Sequence, residues 1–187
     1  MISLWSLDDH RLISWRLGRS LFTIDDGFKS GFPSLPRGLV IGECSDPNAD
    51  LRTPLFPNPM TSTAGRLMRF GQLTPSQYLG RLERVNQCDY VWDEFVAIAR
   101  LRLMIRWICE HPGIRILLLG RKVQRVWGIG SNDGFGDGFG YERWMDVPVA
   151  FAPHPSAHNR VYRDRKAQIR LGRRLRWVAG LGTENMR

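Results

Sequence analysis

Three polar residues, each placed just after a short apolar segment, are the strongest candidates for chemistry in this sequence. Glu43, Asn86 and His154 each stand within two residues of the end of such a segment. A carboxylate can orient a water molecule or stabilise a neighbouring cation, and an imidazole can donate to an oxygen that gains charge. An amide both donates and accepts hydrogen bonds, so it can read the polar edge of a ring. Together they suit hydrolysis of a bond whose leaving group gains negative charge.

Strands that alternate with helices must position these residues. Short apolar segments predict four strands, at residues 39–41, 82–85, 114–119 and 147–152. Helical spacing and helix-end signals predict four helices, at residues 63–70, 93–110, 121–127 and 164–178, with Ser62 or Thr63 as the N-cap of the first. This alternation is typical of a mostly parallel central sheet between two helical layers, so we expect a three-layer α/β/α fold. Ligands bind beyond the carboxyl ends of such strands, where the three residues stand.

Two of these helices have a predicted apolar face. In the 93–110 helix the residues at helical spacing are Phe95, Ile98, Ala99, Leu101, Met104, Ile105 and Ile108. In the 164–178 helix the corresponding residues are Ile169, Leu171, Leu175 and Val178. We expect both sets to pack on the sheet.

Length and charge indicate one basic domain. The chain has 187 residues, which fits a single core, and residues 1–35 are interpreted as an N-terminal extension packed on it. The formal net charge is +9, and basic residues concentrate in the predicted C-terminal basic helix at 160–178. A polyanionic partner fits this charge, and nucleic acid is the commonest one. A merely solvated basic helix is the alternative.

Four motifs, in order, carry a resemblance to a known family. They are Gly42-Glu43-Cys44-Ser45; Asp50 with Pro54-Leu55-Phe56 and Thr63-Ala64-Gly65-Arg66-Leu67; Leu117-Leu118-Leu119-Gly120-Arg121-Lys122-Val123; and Pro153-His154-Pro155-Ser156. Over about residues 38–178 the chain resembles the uracil-DNA glycosylase superfamily. Its first motif is most similar to the Gly-Glu form found in the iron–sulfur branch. The fold implied is uracil-DNA glycosylase-like.

The resemblance implies a monofunctional DNA glycosylase that hydrolyses the N-glycosidic bond of a flipped uracil or modified pyrimidine and leaves an abasic site. Glu43 would position water or stabilise the sugar cation, and His154 would donate to the departing base. Asn86, Phe56 and Cys44 would line the base pocket. Contacts to DNA, single- or double-stranded, would come from Ser156, His158, Asn159, Arg160 and Arg163. The cellular role would be base-excision repair or antiviral defence against phage with modified DNA.

The chain also departs from the family pattern. The iron–sulfur branch needs four cysteines, and this chain has Cys44, Cys88 and Cys109, so we expect no cluster, no metal and no other cofactor. Cys44-Ser45 replaces a Pro-Gly pair, residues 57–62 are additional, and His158 replaces a leucine that many members wedge into the duplex. These changes leave the identity of the excised base open.

Other readings remain open at this stage. The fold can serve as a non-catalytic DNA-binding or damage-sensing module, or act on free nucleosides. Cys44 as a nucleophile has no visible histidine partner. The Gly- and Asp-rich segment at 131–140 is interpreted as a lid or DNA-facing loop. Without a secretory signal or an apolar span, we expect a cytoplasmic monomer with reduced thiols and no membrane contact.

Overall fold

One five-stranded sheet forms the centre of the protein. The computed structural model describes residues 37–45, 54–57, 59–129 and 138–182. In chain order the strands are β1 (Gly38–Gly42), β2 (Leu82–Asn86), β3 (Arg115–Leu119), β4 (Gly140–Trp144) and β5 (Val147–Ala152). Their spatial order is β2-β1-β3-β5-β4, with β4 antiparallel to β5 and all other pairs parallel. The predicted mixed α/β architecture with a mostly parallel sheet is confirmed.

Helices connect and cover the strands. They are α1 (Thr63–Gly71), α2 (Pro75–Arg81), α3 (Glu94–Glu110), α4 (Arg121–Val126) and α5 (Arg165–Val178), with a 3-10 helix at Arg160–Arg163. The side chains of Ser62, Asp93 and Asp164 accept backbone N–H bonds at the starts of α1, α3 and α5. Each of these caps satisfies a donor that the helix itself leaves unpaired, which fixes where the helix begins.

Successive residues of the strands point to opposite faces of the sheet and pack into two apolar cores, one on each face. Val40, Leu117 and Ala150 pack with residues of α1 and α5 on one face. On the other face Ile41 and Leu118 pack with residues of α3 and α4. Because both faces are covered, the central strands are almost entirely apolar. Helices therefore lie on both sides of the sheet.

A close contact between glycine and backbone joins α1 to α5. A Cβ on Gly172 would overlap the carbonyl oxygen of Phe70, and a Cβ on Gly71 would press against the Leu175 side chain. The absence of side chains at these two positions lets the helix backbones approach closely. α5 is thereby fixed against α1 and the sheet.

The predicted apolar faces of two helices are only partly correct. In α3 the side chains of Phe95 and Ile98 are exposed, Phe95 to 87%, because the buried face begins at Ala97 and continues through Met104 and Ile108. The first turns of α3 therefore point much of their apolar surface away from the core. In α5 Ile169 is likewise exposed.

Two elements were not predicted. α2 begins with a reciprocal capping box between Thr74 and Gln77, and Pro75 occupies its first turn. β4 joins β5 through the two residues Met145 and Asp146, both with positive φ. That geometry matches a tight hairpin turn, which usually contains glycine or asparagine.

The C-terminal basic segment differs from its prediction as one helix over 160–178. Residues Arg160–Arg163 form the 3-10 helix, and α5 starts only after Asp164, which has an extended backbone and caps the helix with its side chain. The N-terminal extension at 1–35, Asp50 and most of the loop at 131–140 lie outside the described residues. None of the described helices has the length and apolar character that a membrane span requires.

Candidate active site

Carboxyl ends of four parallel strands meet along one edge of the sheet. Following the strand order, Asn86 ends β2, Glu43 follows β1, Gly120 follows β3 and His154 follows β5. Neighbouring strands are about 4.8 Å apart, so the backbones that carry Glu43 and His154 are separated by roughly 10 Å. The residue that follows the strand between them, Gly120, contributes no side chain to this edge.

Glu43 is half-buried beside the start of α4. Its carboxylate accepts a hydrogen bond from the backbone N–H of Lys122 and lies near the Lys122 ammonium. Burial raises the pKa of Glu43 above its usual value, while the Lys122 charge and the backbone bond partly lower it. The carboxylate therefore has a stronger affinity for a proton than an exposed glutamate, as suits a general base.

Gly120 makes room for this carboxylate. Its φ of +103° lies in a region that L side chains rarely adopt, and a Cβ there would overlap Oε1 of Glu43. Its backbone N–H donates to the carbonyl oxygen of Ala152, which ties the end of β3 to β5. This glycine thus links the catalytic candidates after β1 and β5.

Asn86 is buried and holds its amide in a defined orientation. Its Nδ2 atom donates to Oγ of Ser45 over 2.7 Å, while its Oδ1 atom has no hydrogen-bond partner among the described residues. A Cβ on Gly42 would overlap that oxygen, so the oxygen lies over the backbone at the end of β1. An unsatisfied buried acceptor costs about 1–3 kcal/mol, which marks it as a site for a ligand donor.

Buried glutamines behind the strand ends form a network that the sequence analysis missed. Gln87 donates to the carbonyl of Ala97 over 2.6 Å and accepts from the indole N–H of Trp127 over 3.2 Å. Gln124 donates to the carbonyl of Ala152 over 3.0 Å. These bonds fix the ends of β2 and β5 against α3 and α4. Gln87 directly follows β2 and Gln124 lies in a short helix with three basic residues, so neither stands in a pattern that predicts burial.

The loop that carries His154 is held by its neighbours. Asn159 donates from Nδ2 to the carbonyl of His154 over 2.8 Å and also caps the 3-10 helix through its amide oxygen. The Tyr162 hydroxyl donates to the carbonyl of Pro153 over 2.6 Å. Asn159, predicted as a DNA contact, therefore uses both amide atoms inside the protein.

Burial lowers the pKa of His154 below its usual value. The imidazole is therefore neutral at neutral pH and carries one N–H. A neutral ring can donate a hydrogen bond to an oxygen atom that gains negative charge.

Cys44 is half-buried next to Glu43 and hydrogen-bonds with the thiol of buried Cys88. Burial, together with Cys88 and the Glu43 carboxylate, raises the pKa of Cys44 to about 11. The thiol is therefore protonated at neutral pH, and because the thiolate is the nucleophilic form, this site disfavours covalent catalysis by Cys44. The groups that act on this thiol are the carboxylate of Glu43, the ammonium of Lys122 and the thiol of Cys88.

Phe56 is 42% exposed, and the segment that carries it runs beside the strand ends. Leu55 has a positive φ of 52° and packs its side chain against the backbone at Gly42. The Tyr78 hydroxyl donates to the Leu55 carbonyl over 3.2 Å. The Phe56 ring therefore lies on an anchored segment that reaches the end of β1 near Asn86.

The residues predicted to contact DNA continue from His154 along the same surface. Ser156 is half-buried, and its carbonyl accepts from the backbone N–H of Asn159 over 3.2 Å. His158, Arg160 and Arg163 are exposed. This stretch therefore carries exposed basic residues directly after the histidine loop.

No arrangement of metal ligands is evident in the part of the chain that the structure describes. There, no three histidine, cysteine, aspartate or glutamate side chains come together. The cysteines at 44, 88 and 109, all described, form no disulfide.

Comparisons with known proteins do not assign the chain. A scan against protein-family models found no matching family, and a search of curated proteins found no matching sequence.

Proposed function

We propose that this protein is a DNA glycosylase of the uracil-DNA glycosylase superfamily. The observation that carries the proposal is the placement of Glu43 and His154 on either side of Gly120, at the carboxyl edge where parallel sheets bind ligands. Asn86 supports it because its buried oxygen lacks a partner among the described residues. Three of the four sequence motifs, at residues 42–45, 117–123 and 153–156, run past the carboxyl ends of strands at this edge.

In the proposed hydrolysis of an N-glycosidic bond, Glu43 acts on the attacking water and the sugar, and His154 acts on the departing base. The base leaves C1′ with the bonding electron pair, and water adds to C1′ while losing a proton. The Glu43 carboxylate, its pKa raised by burial, orients that water, stabilises the cationic sugar and accepts the proton. His154, kept neutral by burial, donates a hydrogen bond to the base oxygen that gains charge.

Recognition of the base is assigned to residues beside Glu43, at the ends of β1 and β2. Asn86 offers an acceptor to the edge of a flipped base, and the partly exposed Phe56 ring offers a stacking surface. The thiol of Cys44 stands beside Glu43. Through these groups the site would bind a pyrimidine base by hydrogen bonding and stacking, without forming a covalent bond to it.

Positioning on DNA falls to the basic surface after β5. Arg160, Arg163 and Arg173 are exposed, and His158 lies between the histidine loop and the first of them. Arginines on phosphates fix register and orientation rather than sequence. The net charge of +9 supports a polyanionic substrate.

The proposal is tested by incubating the protein with duplex and single-stranded oligonucleotides that contain uracil, thymine or an enlarged 5-substituted uracil. Abasic sites are scored by alkaline cleavage. Cleavage of one of these substrates, lost in Glu43→Gln, supports the proposal. Binding to all of them with no abasic sites from any would instead favour a non-catalytic DNA-binding module on the same fold.

A further inference from the structure

Arg66 of α1 is a half-buried arginine that has no acceptor within the part of the chain that the structure describes. Its Nε atom is buried, and its guanidinium makes no hydrogen bond or ion pair with any described residue. Arg84, Arg115 and Arg176 are also half-buried, but each of them donates to a backbone carbonyl. A guanidinium is always charged and carries five N–H donors, so partial burial without an acceptor is unfavourable. Arg66 therefore has donors available for a ligand.

Aromatic contacts place the Arg66 guanidinium close to the loop that carries His154. Its central carbon lies 5.8 Å from the centroid of the Phe70 ring, and that ring stacks on Tyr162 with centroids 5.6 Å apart. The Tyr162 hydroxyl donates to the carbonyl of Pro153, the residue before His154. Burial raises the pKa of Tyr162, and the Arg66 charge is among those that act against this rise, as expected for a guanidinium near the hydroxyl. Arg66 thus faces the segment that follows the histidine loop.

The two chain segments that meet at this guanidinium are almost free of acidic residues. Residues 54–82 contain three arginines and no acidic residue, and residues 153–182 contain eight arginines or lysines with Asp164 as the one acid. The side chain of Asp164 already accepts a hydrogen bond from the backbone N–H of Lys166 at the start of α5. Since α1 packs against α5, the basic residues of both segments lie in one helical layer. An anion from outside the protein can therefore supply the negative charge that Arg66 lacks.

We propose that Arg66 binds a phosphate of the DNA backbone near the nucleotide whose base His154 contacts. A guanidinium offers two parallel N–H donors that match two phosphate oxygens, a geometry that the compact ammonium of lysine does not provide. Only Nε of Arg66 is buried without a partner, so its terminal nitrogens remain open to this contact. The inference rests on the proposed function for its partner, DNA, but concerns the path of the backbone and not bond cleavage. It extends the phosphate-binding surface from the C-terminal basic segment to α1.

The test combines variants of the protein with single changes to the DNA backbone. Duplex oligonucleotides that contain uracil are made with one phosphate at a time replaced by an uncharged methylphosphonate. Their affinities are measured by fluorescence anisotropy in a Glu43→Gln reference protein, so that the base stays attached. Arg66→Met removes the charge and keeps an apolar stem, and Arg66→Lys keeps the charge without the paired donors. Arg69→Met is the matched control, because Arg69 is an exposed arginine three residues further along α1.

The expected result is one phosphate whose replacement weakens binding by the reference protein about tenfold or more. That effect should disappear in Arg66→Met, persist in Arg69→Met and be reduced in Arg66→Lys. Arg66→Met should also melt at a temperature no lower than that of the reference protein, because it removes a buried donor that has no partner. Sensitivity to every phosphate retained in Arg66→Met would overturn the inference. So would failure of Arg66→Met to fold, since the arginine would then be structural.

The outcome for this inference can be separated from the outcome for the proposed function. A phosphate effect that depends on Arg66, without abasic sites on any oligonucleotide, would remove the glycosylase proposal and leave this inference standing. Abasic sites without any phosphate effect that depends on Arg66 would do the reverse. Absence of binding to every oligonucleotide would remove both.

Discussion

The carboxylate of Glu43 lies in the space directly over Gly120, where any other residue would carry its Cβ. Gly120 also has a φ of +103°, which a side chain rarely tolerates. The two requirements coincide at one position. The residue after β3 must therefore be glycine both for its own backbone and for the seat of the carboxylate.

Gly120→Ala is expected to lower both stability and turnover. Backbone strain at such a position costs about 1–3 kcal/mol, and the new methyl displaces Glu43 from the Lys122 N–H. Gly113→Ala is the matched control because Gly113 also has a positive φ, +84°, but no described atom within 4 Å of its Cβ position. We expect the control to lose stability and keep kcat, measured by urea unfolding and single-turnover kinetics. Equal turnover in the two variants would contradict the role given to the Glu43–Gly120 contact.

Glu43→Gln is expected to lower turnover by about 100-fold or more, within the range for a positioned catalytic group, while DNA binding persists. Glu83→Gln is a suitable control, because Glu83 is a second carboxyl whose pKa burial raises, and it stands within β2. Single-turnover rates and fluorescence anisotropy separate the two effects. Wild-type turnover in Glu43→Gln would exclude the carboxylate from the mechanism.

Glu43→Gln is also expected to change how the free energy of unfolding depends on pH. Because burial raises the folded-state pKa of Glu43, the folded protein holds this proton more tightly than the unfolded chain does. The stability gained from the protonated form is therefore present at low pH and lost as pH rises through the folded pKa. Glu43→Gln carries no such charge, so its free energy of unfolding should exceed that of the wild type at neutral pH and converge with it in acid. Urea titrations across pH measure the difference, and parallel curves would contradict it.

Lys122→Met is expected to move the acidic limb of the pH–rate profile to higher pH. The Lys122 ammonium lowers the pKa of Glu43, so its removal raises that pKa further and protonates the base at a higher pH. Arg125→Met removes an equal charge from an exposed position on the same helix and should leave the limb in place. The measurement is kcat under saturating substrate from acid to neutral pH. A limb that stays fixed in Lys122→Met would assign it to a group other than Glu43.

Neutralising Arg163 and Arg173, both exposed, is expected to weaken binding to every DNA sequence alike. Each phosphate contact contributes a slope of roughly −0.9 to log affinity against log salt on duplex DNA, so the double variant should flatten that slope by about 1–2 units. Arg102→Gln with Arg106→Gln, both exposed on α3, gives the same change in net charge and should keep the wild-type slope. A shift in base preference would contradict a role limited to phosphates.

Most elements of the fold could be predicted because their signals are local. The strands before Glu43 and His154 are unbroken apolar segments, and Asp93 and Asp164 cap helices at the expected positions. α2 was also predictable from its Thr74–Gln77 capping box and was overlooked. β4 was not, because its turn uses Met145 and Asp146 where composition leads one to expect glycine or asparagine.

The candidate site likewise has features that the sequence predicts and features that it does not. Glu43, Asn86 and His154 follow strands, and the topology of a parallel sheet alone brings such positions to one edge. The Ser45–Asn86 bond and the Glu43–Gly120 contact depend instead on side-chain orientation and on a single backbone angle. Neither leaves a pattern in the sequence. The exposed Phe95 was missed for a related reason, since helical spacing does not indicate where along a helix the covering layer ends.

Gly172 of α5, which rests against the carbonyl oxygen of Phe70, has a mechanical consequence. Only a residue without a side chain fits against this carbonyl oxygen. A shift of α5 along α1 by one residue would therefore bring a side chain into collision with it. The exposed Arg173, next in the chain, is thereby held at a fixed axial position relative to the sheet. The position of α5 relative to the strand ends is thus set by a backbone contact. The basic residues of α5 therefore start from fixed backbone positions on the surface.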